Sequence, residues 1–250
     1  MTMRGRILTS PPVTVLLVAL AWLAVVPLFN IEPRYLPPLG DVYAEAVKLW
    51  PDLLAGFWRT FLETFIGFIA GALIGIGFGT AFAYVRLLER AFFPIFVALQ
   101  SVPVIAFGAI VVIWFGNTIL AKVVIALYLA FFPVAVNTLR GLSGVNPGRA
   151  ALLSSFGASN WQSFLMLALP SAAPVIMTGL KLGISLSLAG AIVGEWFGDT
   201  VGLGVLLLQA LYFEQVTRVW VLIIACGLLG ALLYGALSLI ERRYVWWQFD

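Results

Sequence analysis

Long apolar stretches separated by short polar segments constrain this chain more than any other feature of its sequence. The clearest of them, residues 58–85, is long enough to cross a bilayer as a helix. The same pattern recurs in five further stretches: residues 12–29, 91–115, 119–139, 171–193 and 219–240. Because 62% of the 250 residues are hydrophobic and 10% are charged, we expect one polytopic, all-α membrane domain over residues 1–250.

The distribution of charge predicts which way these helices run. Eight arginines fall in segments on one side of the predicted membrane: Arg4, Arg6, Arg86, Arg90, Arg140, Arg149, Arg242 and Arg243. The remaining six basic residues lie in the other segments: Arg34, Lys48, Arg59, Lys122, Lys181 and Arg218. Those segments also contain eight acidic residues. Cytoplasmic loops are enriched in arginine and lysine, so we predict six transmembrane helices with both termini inside.

Three shorter segments complete the predicted topology. Residues 42–54 are expected to form an amphipathic helix on the outer surface. Residues 86–90 are expected to be a short charged loop on the inner side. The apolar piece 201–213 is too short to span and is predicted to be a re-entrant or interfacial helix.

A row of glycines marks one face of the second span. The glycines recur every four residues, at Gly67, Gly71, Gly75 and Gly79. At helical spacing they form one smooth stripe that lets another helix backbone approach closely. The row therefore predicts tight packing, either within one protomer or at the seam of a dimer.

Ionisable and polar residues within the spans are candidates for a translocation path or gate. Five residues are singled out: Glu63, Gln100, Ser101, Lys181 and Glu195. Lys181 has a structural alternative, a pairing with a carboxylate or with carbonyls at a helix end. Lys122 and Glu63 lie near span ends, where we expect the side chains to reach the interface.

The segment between the fourth and fifth spans carries helix start and stop signals. Asn146 can cap a helix and Pro147 suits its first position. This helix could run through Phe156 and end at Gly157, which tolerates the left-handed conformation. Ser159 and Gln162 have capping-box spacing, which predicts a second short helix. Two capped helices in a cytoplasmic loop indicate a docking element; the alternative is an ordinary loop with an interfacial helix.

Several residue types exclude other functions. The chain has no histidine and one cysteine, Cys226, so an internal disulfide is impossible and a histidine- or cysteine-based metal site is not expected. It has no phosphate-binding loop motif, and we predict no catalytic residue and no cofactor in this chain. Eight of its fourteen basic residues lie in segments on one side of the membrane, which is not the footprint of a nucleic-acid-binding protein.

The loop also carries a resemblance to a known family. Gly157 and Leu167-Ala168-Leu169-Pro170 resemble the loop signature of permease subunits of binding-protein-dependent ABC importers, Glu-Ala-Ala-x3-Gly-x9-Ile-x-Leu-Pro. Leu167 stands for the isoleucine, and Ala151-Leu152-Leu153 replaces Glu-Ala-Ala. The similarity extends over about residues 36–247.

Further motifs indicate a group within that family. Five resemble the nitrate, sulfonate and taurine permeases: Leu36-Pro37-Pro38, Ser101-Val102-Pro103, Trp114-Phe115-Gly116, Gly179-Leu180-Lys181 and Leu239-Ile240-Glu241-Arg242-Arg243. Residues 190–196, Gly-Ala-Ile-Val-Gly-Glu-Trp, with Gly202-Leu203-Gly204 and Glu63, are more similar to the branch that carries thiamine-precursor pyrimidines or riboflavin.

The resemblance implies partners and roles. Two permease copies would form the pathway in the cell inner membrane, and two separate ATPase subunits would bind ATP. An extracytoplasmic binding protein would deliver a small molecule to the outer segments 42–54 and 195–214. The coupling loop 146–169 would dock in each ATPase. The residues assigned to this contact are Ala151, Leu152, Leu153, Phe156, Gly157, Ala158, Ser159, Leu169 and Pro170.

The cargo and two other classes remain open at this stage. The branch motifs favour a vitamin-type heterocycle, and a nitrate-, sulfonate- or taurine-like anion is the alternative. An ion-coupled secondary carrier would show paired carboxylates at the midplane and an inverted repeat, and neither is evident. A substrate-capture subunit of an energy-coupling vitamin transporter would lack the Gly157-to-Pro170 loop.

Overall fold

The computed structural model describes residues 11–248, and this part of the chain is helical with no β-strand. Its α-helices are α1 (Pro11–Leu28), α2 (Leu39–Lys48), α3 (Trp50–Tyr84), α4 (Arg86–Gln100), α5 (Val104–Phe115), α6 (Ile119–Ser143), α7 (Pro147–Ser155), α8 (Asn160–Ser163), α9 (Leu169–Glu195), α10 (Leu203–Tyr212) and α11 (Val216–Tyr244). A π-helical turn, Phe164–Ala168, joins α8 to α9. The predicted all-α class is confirmed.

Four helical stretches within residues 11–248 are long and apolar enough to cross a membrane: α3, α6, Asn160–Glu195 and α11. Helices α4 and α5 pass the same test only as a pair, and their axes differ by 97°, so they would form a fifth, broken span. Helix α1 is shorter. Arg4 and Arg6, on which part of the topology prediction rests, lie outside the described residues.

Helix α6 lies between α3 and α9 and is in close backbone contact with both. A β-carbon added at Gly71 of α3 would lie 2.8 Å from the carbonyl oxygen of Leu127 and 2.9 Å from the β-carbon of Ala130. The other glycines of the row meet α6 in the same way, one turn apart. The predicted close packing is confirmed, and its location is within the protomer.

A second glycine row packs against a neighbouring face of α6, and Ala126, Ala130 and Val134 meet glycines of both rows. Gly179, Gly183, Gly190 and Gly194 of α9 face successive turns of α6 in reverse order, so α9 runs antiparallel to α6 whereas α3 runs parallel. Helix α7 follows the last residue of α6, and α10 packs near its first. We call these the α7 end and the α10 end of the bundle.

The remaining helices cover this three-helix unit. Helices α10 and α11 pack on α3 and α9 through an apolar cluster that includes Phe68, Leu203, Leu222 and Leu229. Helix α1 contacts α11 edge-on through Trp22 and Trp220, whose ring centroids are 4.7 Å apart. These contacts pack side chain against side chain, and such van der Waals packing holds helices together within a bilayer.

The break between α4 and α5 has a local cause. Pro103 precedes α5, and the residue before a proline is pushed away from helical geometry. Pro94 lies inside α4 without ending it. The Leu99 carbonyl accepts hydrogen bonds from the Val102 N–H at 3.1 Å and from the Tyr128 hydroxyl at 2.5 Å, so the broken helix end is held against α6.

Three predicted boundaries were wrong. The outer amphipathic helix ends at Lys48 instead of residue 54, because Pro51 occupies the first turn of a new helix, α3. Residues 86–90 are the first turn of α4, where Glu89 favours the helix N-terminus, and they are not a loop. The second short helix of the loop continues through the π-helical turn into α9, so it is the beginning of that span.

Candidate functional site

A buried cluster of polar side chains lies at the α10 end, where α3, α6, α9 and the turns next to α6 and α9 meet. Helix α3 contributes three residues, α6 and the turn before it contribute two, and the end of α9 and the turn that follows contribute two. We call it the buried polar cluster: Arg59, Thr60, Glu63, Lys122, Glu195 and Asp199, with Asn117 exposed at its edge. The side chains of Lys122 and Glu63 are 0% exposed, so the expectation that they reach the interface was wrong.

Ion pairs connect the helices within this cluster. Arg59 Nε lies 2.6 Å from Glu63 Oε1, and the same guanidinium lies 3.2 Å from Asp199 Oδ2. Lys122 Nζ lies 3.3 Å from that Asp199 oxygen and also donates to Asn117 Oδ1. Although burial opposes ionisation, the backbone hydrogen bond from Thr200 and the nearby cations hold the pKa of Asp199 below its usual value.

Glu195 holds the turn between α9 and α10. Thr60 Oγ1 donates to Glu195 Oε1 at 2.5 Å, and the backbone N–H of Gly204 donates to Oε2 at 2.5 Å. Thr60 Oγ1 in turn accepts from the Leu203 N–H at 2.9 Å. Position 204 requires glycine, because a β-carbon there would lie 2.5 Å from the Ile192 carbonyl oxygen.

The five path or gate candidates separate into three places. Glu63 and Glu195 are in the buried polar cluster. Lys181 pairs with the carboxylate of Glu241 of α11, as its structural alternative predicted. Lys181 Nζ also lies 5.6 Å from the Tyr234 ring centroid. Gln100 and Ser101 are exposed at the break between α4 and α5.

The remaining residues of the buried polar cluster were not predicted from the sequence to lie together. The spacing of Arg59 and Glu63, four residues apart on one helix, is a readable signal for an ion pair. Lys122 and Asp199 are far apart in sequence, and only the antiparallel packing of α6 and α9 brings them together. Among residues 11–248, no group of three or more metal-ligating side chains is found.

The loop at the α7 end has the caps that its sequence predicts. Asn146 Oδ1 accepts hydrogen bonds from the Gly148 and Arg149 N–H groups at 2.8 and 3.3 Å. Helix α7 ends at Ser155, and Gly157 follows with φ of 81°. Ser159 and Gln162 form the reciprocal capping box at the start of α8. The predicted caps are confirmed.

This loop exposes large apolar side chains. Phe156 is 82% exposed, Leu152 and Trp161 are more than half exposed, and α7 buries none of its residues. A cleft of about 460 Å³ separates the loop from the ends of α3 and α6, lined by Tyr84, Leu142 and Phe164 among others. An apolar patch of this kind on a short, capped helix is typical of a surface that binds another protein.

A bundle of membrane-spanning helices with a capped, exposed helix at one end defines a multi-pass membrane protein of the transporter class. Residues 67–246 match the family described as the binding-protein-dependent transport system inner membrane component. The chain belongs to this family. It is therefore an ABC importer permease subunit and a multi-pass protein of the plasma membrane.

Individual relatives agree with this membership. The chain is 36% identical over 183 residues to the formylaminopyrimidine transport permease ThiX of Halalkalibacterium halodurans, covering 73% of each chain. It is 31% identical over 242 residues to the riboflavin transport permease RibX of Chloroflexus aurantiacus, covering 95% of this chain and 89% of that one. Other similar sequences are named as permeases for aliphatic sulfonates, taurine and nitrate.

The fold is that of a solved transporter. The inward-facing methionine ABC transporter MetNI aligns with a TM-score of 0.69 at 22% identity, over 79% of this chain and 98% of that chain. At this identity the likeness concerns the fold alone.

Proposed function

We propose that this chain forms one half of an ATP-driven importer for a small uncharged heterocycle of the riboflavin or thiamine-precursor pyrimidine type. An extracytoplasmic binding protein delivers the cargo, and two separate ATPase subunits supply the energy, so the chain itself carries no catalytic residue and no cofactor. All 250 residues then serve as a single permease domain.

The assignment of an uncharged cargo depends on the ion pairs that the basic side chains form. Each basic residue that the sequence places outside the inner loops lies within 4.0 Å of a carboxylate in the described part of the chain: Arg34, Lys48, Arg59, Lys122, Lys181 and Arg218. Recognition of a sulfonate or nitrate requires cationic donors that are free to face it. With these cations already paired, an uncharged cargo held by stacking and hydrogen bonds is favoured.

The names of two relatives support the same cargo class. ThiX and RibX are named for a pyrimidine and for riboflavin, both flat heterocycles. The sulfonate, taurine and nitrate permeases share the family, and such an anion is the alternative cargo. Membership of this family gives no support to an ion-coupled secondary carrier or to an energy-coupling capture subunit.

The orientation follows from charge. Six arginines of the described residues lie at the α7 end: Arg86, Arg90, Arg140, Arg149, Arg242 and Arg243. By the positive-inside rule this end faces the cytoplasm. With α1 as the first span and α4–α5 as a broken third span, the chain crosses six times and both termini are inside.

The loop at the α7 end is the docking element for the ATPase. Leu152 and Phe156 project from α7, and Leu153 completes its apolar side. Ala151 stands where the motif has glutamate, and Leu152 and Leu153 replace its two alanines. The contact therefore depends on apolar packing in a groove of the ATPase more than on a salt bridge.

The pathway forms between this chain and a second permease copy, most simply an identical one. Gln100 and Ser101 remain the candidates for contacts with cargo, because they are exposed at the broken helix α4–α5. Non-helical backbone at membrane depth is tolerated where it lines a water-filled cavity.

Uptake by proteoliposomes tests this function. Vesicles containing the chain, its ATPase and its binding protein would be offered labelled riboflavin, formylaminopyrimidine, taurine and nitrate in parallel. We expect ATP-dependent accumulation of one of the two heterocycles, and none with a catalytically inactive ATPase. Accumulation of taurine or nitrate instead would overturn the cargo, and accumulation driven by a proton gradient without ATP would overturn the importer class.

A further inference from the structure

One side chain of α6 contacts both arms of the broken helix α4–α5. The Tyr128 hydroxyl donates to the Leu99 carbonyl, in the last turn of α4, at 2.5 Å. The Tyr128 ring stacks on Phe107 of α5, with ring centroids 3.9 Å apart and an angle of 21° between the ring planes. Leu99 precedes the break and Phe107 follows it, so Tyr128 bridges two helices whose axes differ by 97°.

The hydrogen bond fixes an orientation that the other contacts of α4 and α5 leave free. Helix α4 packs on α6 through Phe96, whose ring centroid lies 4.8 Å from that of Phe131 and 4.7 Å from that of Phe132. Helix α5 packs on α6 through Val111 and its apolar neighbours. Apolar packing is not directional, whereas a hydrogen bond weakens steeply when its angle changes. In the described part of the chain, the bond from Tyr128 is the one side-chain hydrogen bond that joins α4 to another helix.

This contact lies well inside the membrane span. Tyr128 follows Ile119, the first residue of α6, by nine residues and precedes Ser143, the last, by fifteen. It is therefore roughly 14 Å from one end of the span and roughly 22 Å from the other. Lipid tails offer no donor to a backbone carbonyl and no acceptor to a tyrosine hydroxyl. Each group supplies what the other lacks at this depth, so separating them is costly.

The ring and the hydroxyl of Tyr128 are both engaged within the protomer. One ring face is covered by Phe107, and the hydroxyl hydrogen is donated to Leu99. Gln100 and Ser101 come directly after Leu99, and both are exposed. The position of the Leu99 carbonyl therefore determines where these two side chains lie.

We propose that Tyr128 is a positioning residue that sets the angle between α4 and α5 and thereby holds Gln100 and Ser101 where the cargo passes. The role of Gln100 and Ser101 rests on the proposed function, which takes them as the contacts with cargo. The effect of Tyr128 on the angle between the two helices does not depend on the cargo.

Spin-label distances test this angle directly. In the full-length Cys226→Ser chain, Leu87→Cys places a label on α4 and Ile113→Cys places one on α5, and both positions are exposed. The labelled chain is reconstituted in lipid nanodiscs with an excess of unlabelled Cys226→Ser chain, so that distances within one chain dominate. We expect one narrow distance distribution with Tyr128 present. A broader or shifted distribution is expected in Tyr128→Phe, which keeps the ring and removes the hydroxyl.

Tyr212→Phe is the matched control for the loss of a hydroxyl, because Tyr212 is exposed at the end of α10. Its distance distribution should equal that of the parent chain. An unchanged distribution in Tyr128→Phe, or an equal change in Tyr212→Phe, would overturn the proposal.

A double-mutant cycle in the assembled importer tests whether Tyr128 acts through Gln100 and Ser101. With the ATPase and the binding protein present, Tyr128→Phe should reduce the cargo transported per ATP several-fold. The same change in a Gln100→Ala/Ser101→Ala chain should cause no further loss, because the effects of residues that act together are not additive. Losses that multiply would show that Tyr128 does not act through these two residues. Absence of uptake by the wild-type importer would instead contradict the proposed function and leave the spin-label result unaffected.

Discussion

At the scale of single residues, the buried polar cluster depends on Asp199. Its carboxylate accepts from the Thr200 N–H and lies beside both Arg59 and Lys122. Lys122 is completely buried, so removing its partner leaves a charge that water does not reach. Breaking a buried pair in this way destabilises proteins by roughly 3 kcal/mol or more.

Replacing Asp199 should therefore change how stability depends on pH. Because the pKa of Asp199 is lowered on folding, its contribution is present above the ordinary aspartate pKa and is lost as pH falls through the lowered value. Asp199→Asn should lower the melting temperature at neutral pH, and its difference from the wild-type chain should shrink in acid. Melting curves across pH measure this, with Glu214→Gln as control. A difference that does not vary with pH would contradict the prediction.

At the scale of helices, α3 offers two glycines with opposite surroundings. A β-carbon at Gly79 would meet the Ala135 carbonyl oxygen at 2.5 Å and the Thr138 β-carbon at 2.6 Å, whereas one at Gly77 would meet nothing within 4 Å. Replacing each of these two glycines by alanine therefore distinguishes the effect of helix propensity from the effect of packing against α6.

Gly79→Ala should destabilise the chain by roughly 1–3 kcal/mol, because α3 must move away from α6. Gly77→Ala should be neutral or stabilising by up to about 1 kcal/mol, because alanine favours the helix. Unfolding in mixed micelles monitored by circular dichroism would measure both. Equal effects at the two positions would show that the glycine row does not determine the helix contact.

The loop at the α7 end permits a test at one position. Gly157 has φ of 81°, a conformation that asparagine tolerates and β-branched residues avoid, and a side chain there meets nothing within 4 Å. Gly157→Val should distort the turn after α7 and reduce substrate-stimulated ATPase activity of the assembled importer several-fold, while Gly157→Asn should retain most of it. If the valine variant keeps full stimulation, the loop does not couple the subunits.

The sequence predicted the elements that local chemistry determines. The caps at Asn146 and Ser159, the left-handed Gly157 and the glycine row of α3 all depend on residues a few positions apart, and each is present. The buried polar cluster depends on how α3, α6 and α9 pack, which joins residues as distant as Thr60 and Glu195. The hydrophobic periodicity of the sequence carries no information about contacts between such distant residues. For that reason Glu63 was predicted to reach the membrane interface and not to lie in the buried polar cluster.

At the scale of the whole molecule, the two ends of the bundle differ in chemistry. Among the described residues, the arginines at the α7 end are in no ion pair and large apolar side chains are exposed there, whereas the cations near the α10 end lie beside carboxylates. This asymmetry supports the proposed orientation, with the α7 end in the cytoplasm.

The single cysteine makes that orientation measurable. In a Cys226→Ser background, Ser155→Cys places a thiol on α7 and Tyr212→Cys places one at the end of α10, and both positions are exposed. A membrane-impermeant maleimide should label Tyr212→Cys in intact cells and Ser155→Cys only after permeabilisation. The reverse result would invert the topology.

The two glycine rows that pack against α6 have a mechanical consequence. Helix α6 has 25 residues and a length of roughly 37 Å, and over most of it backbone touches backbone on two faces. No layer of long side chains remains between the three helices to absorb a displacement. A push at the α7 end should therefore reach the α10 end as rotation of a stiff lever, and the bending must occur at looser joints such as the break between α4 and α5.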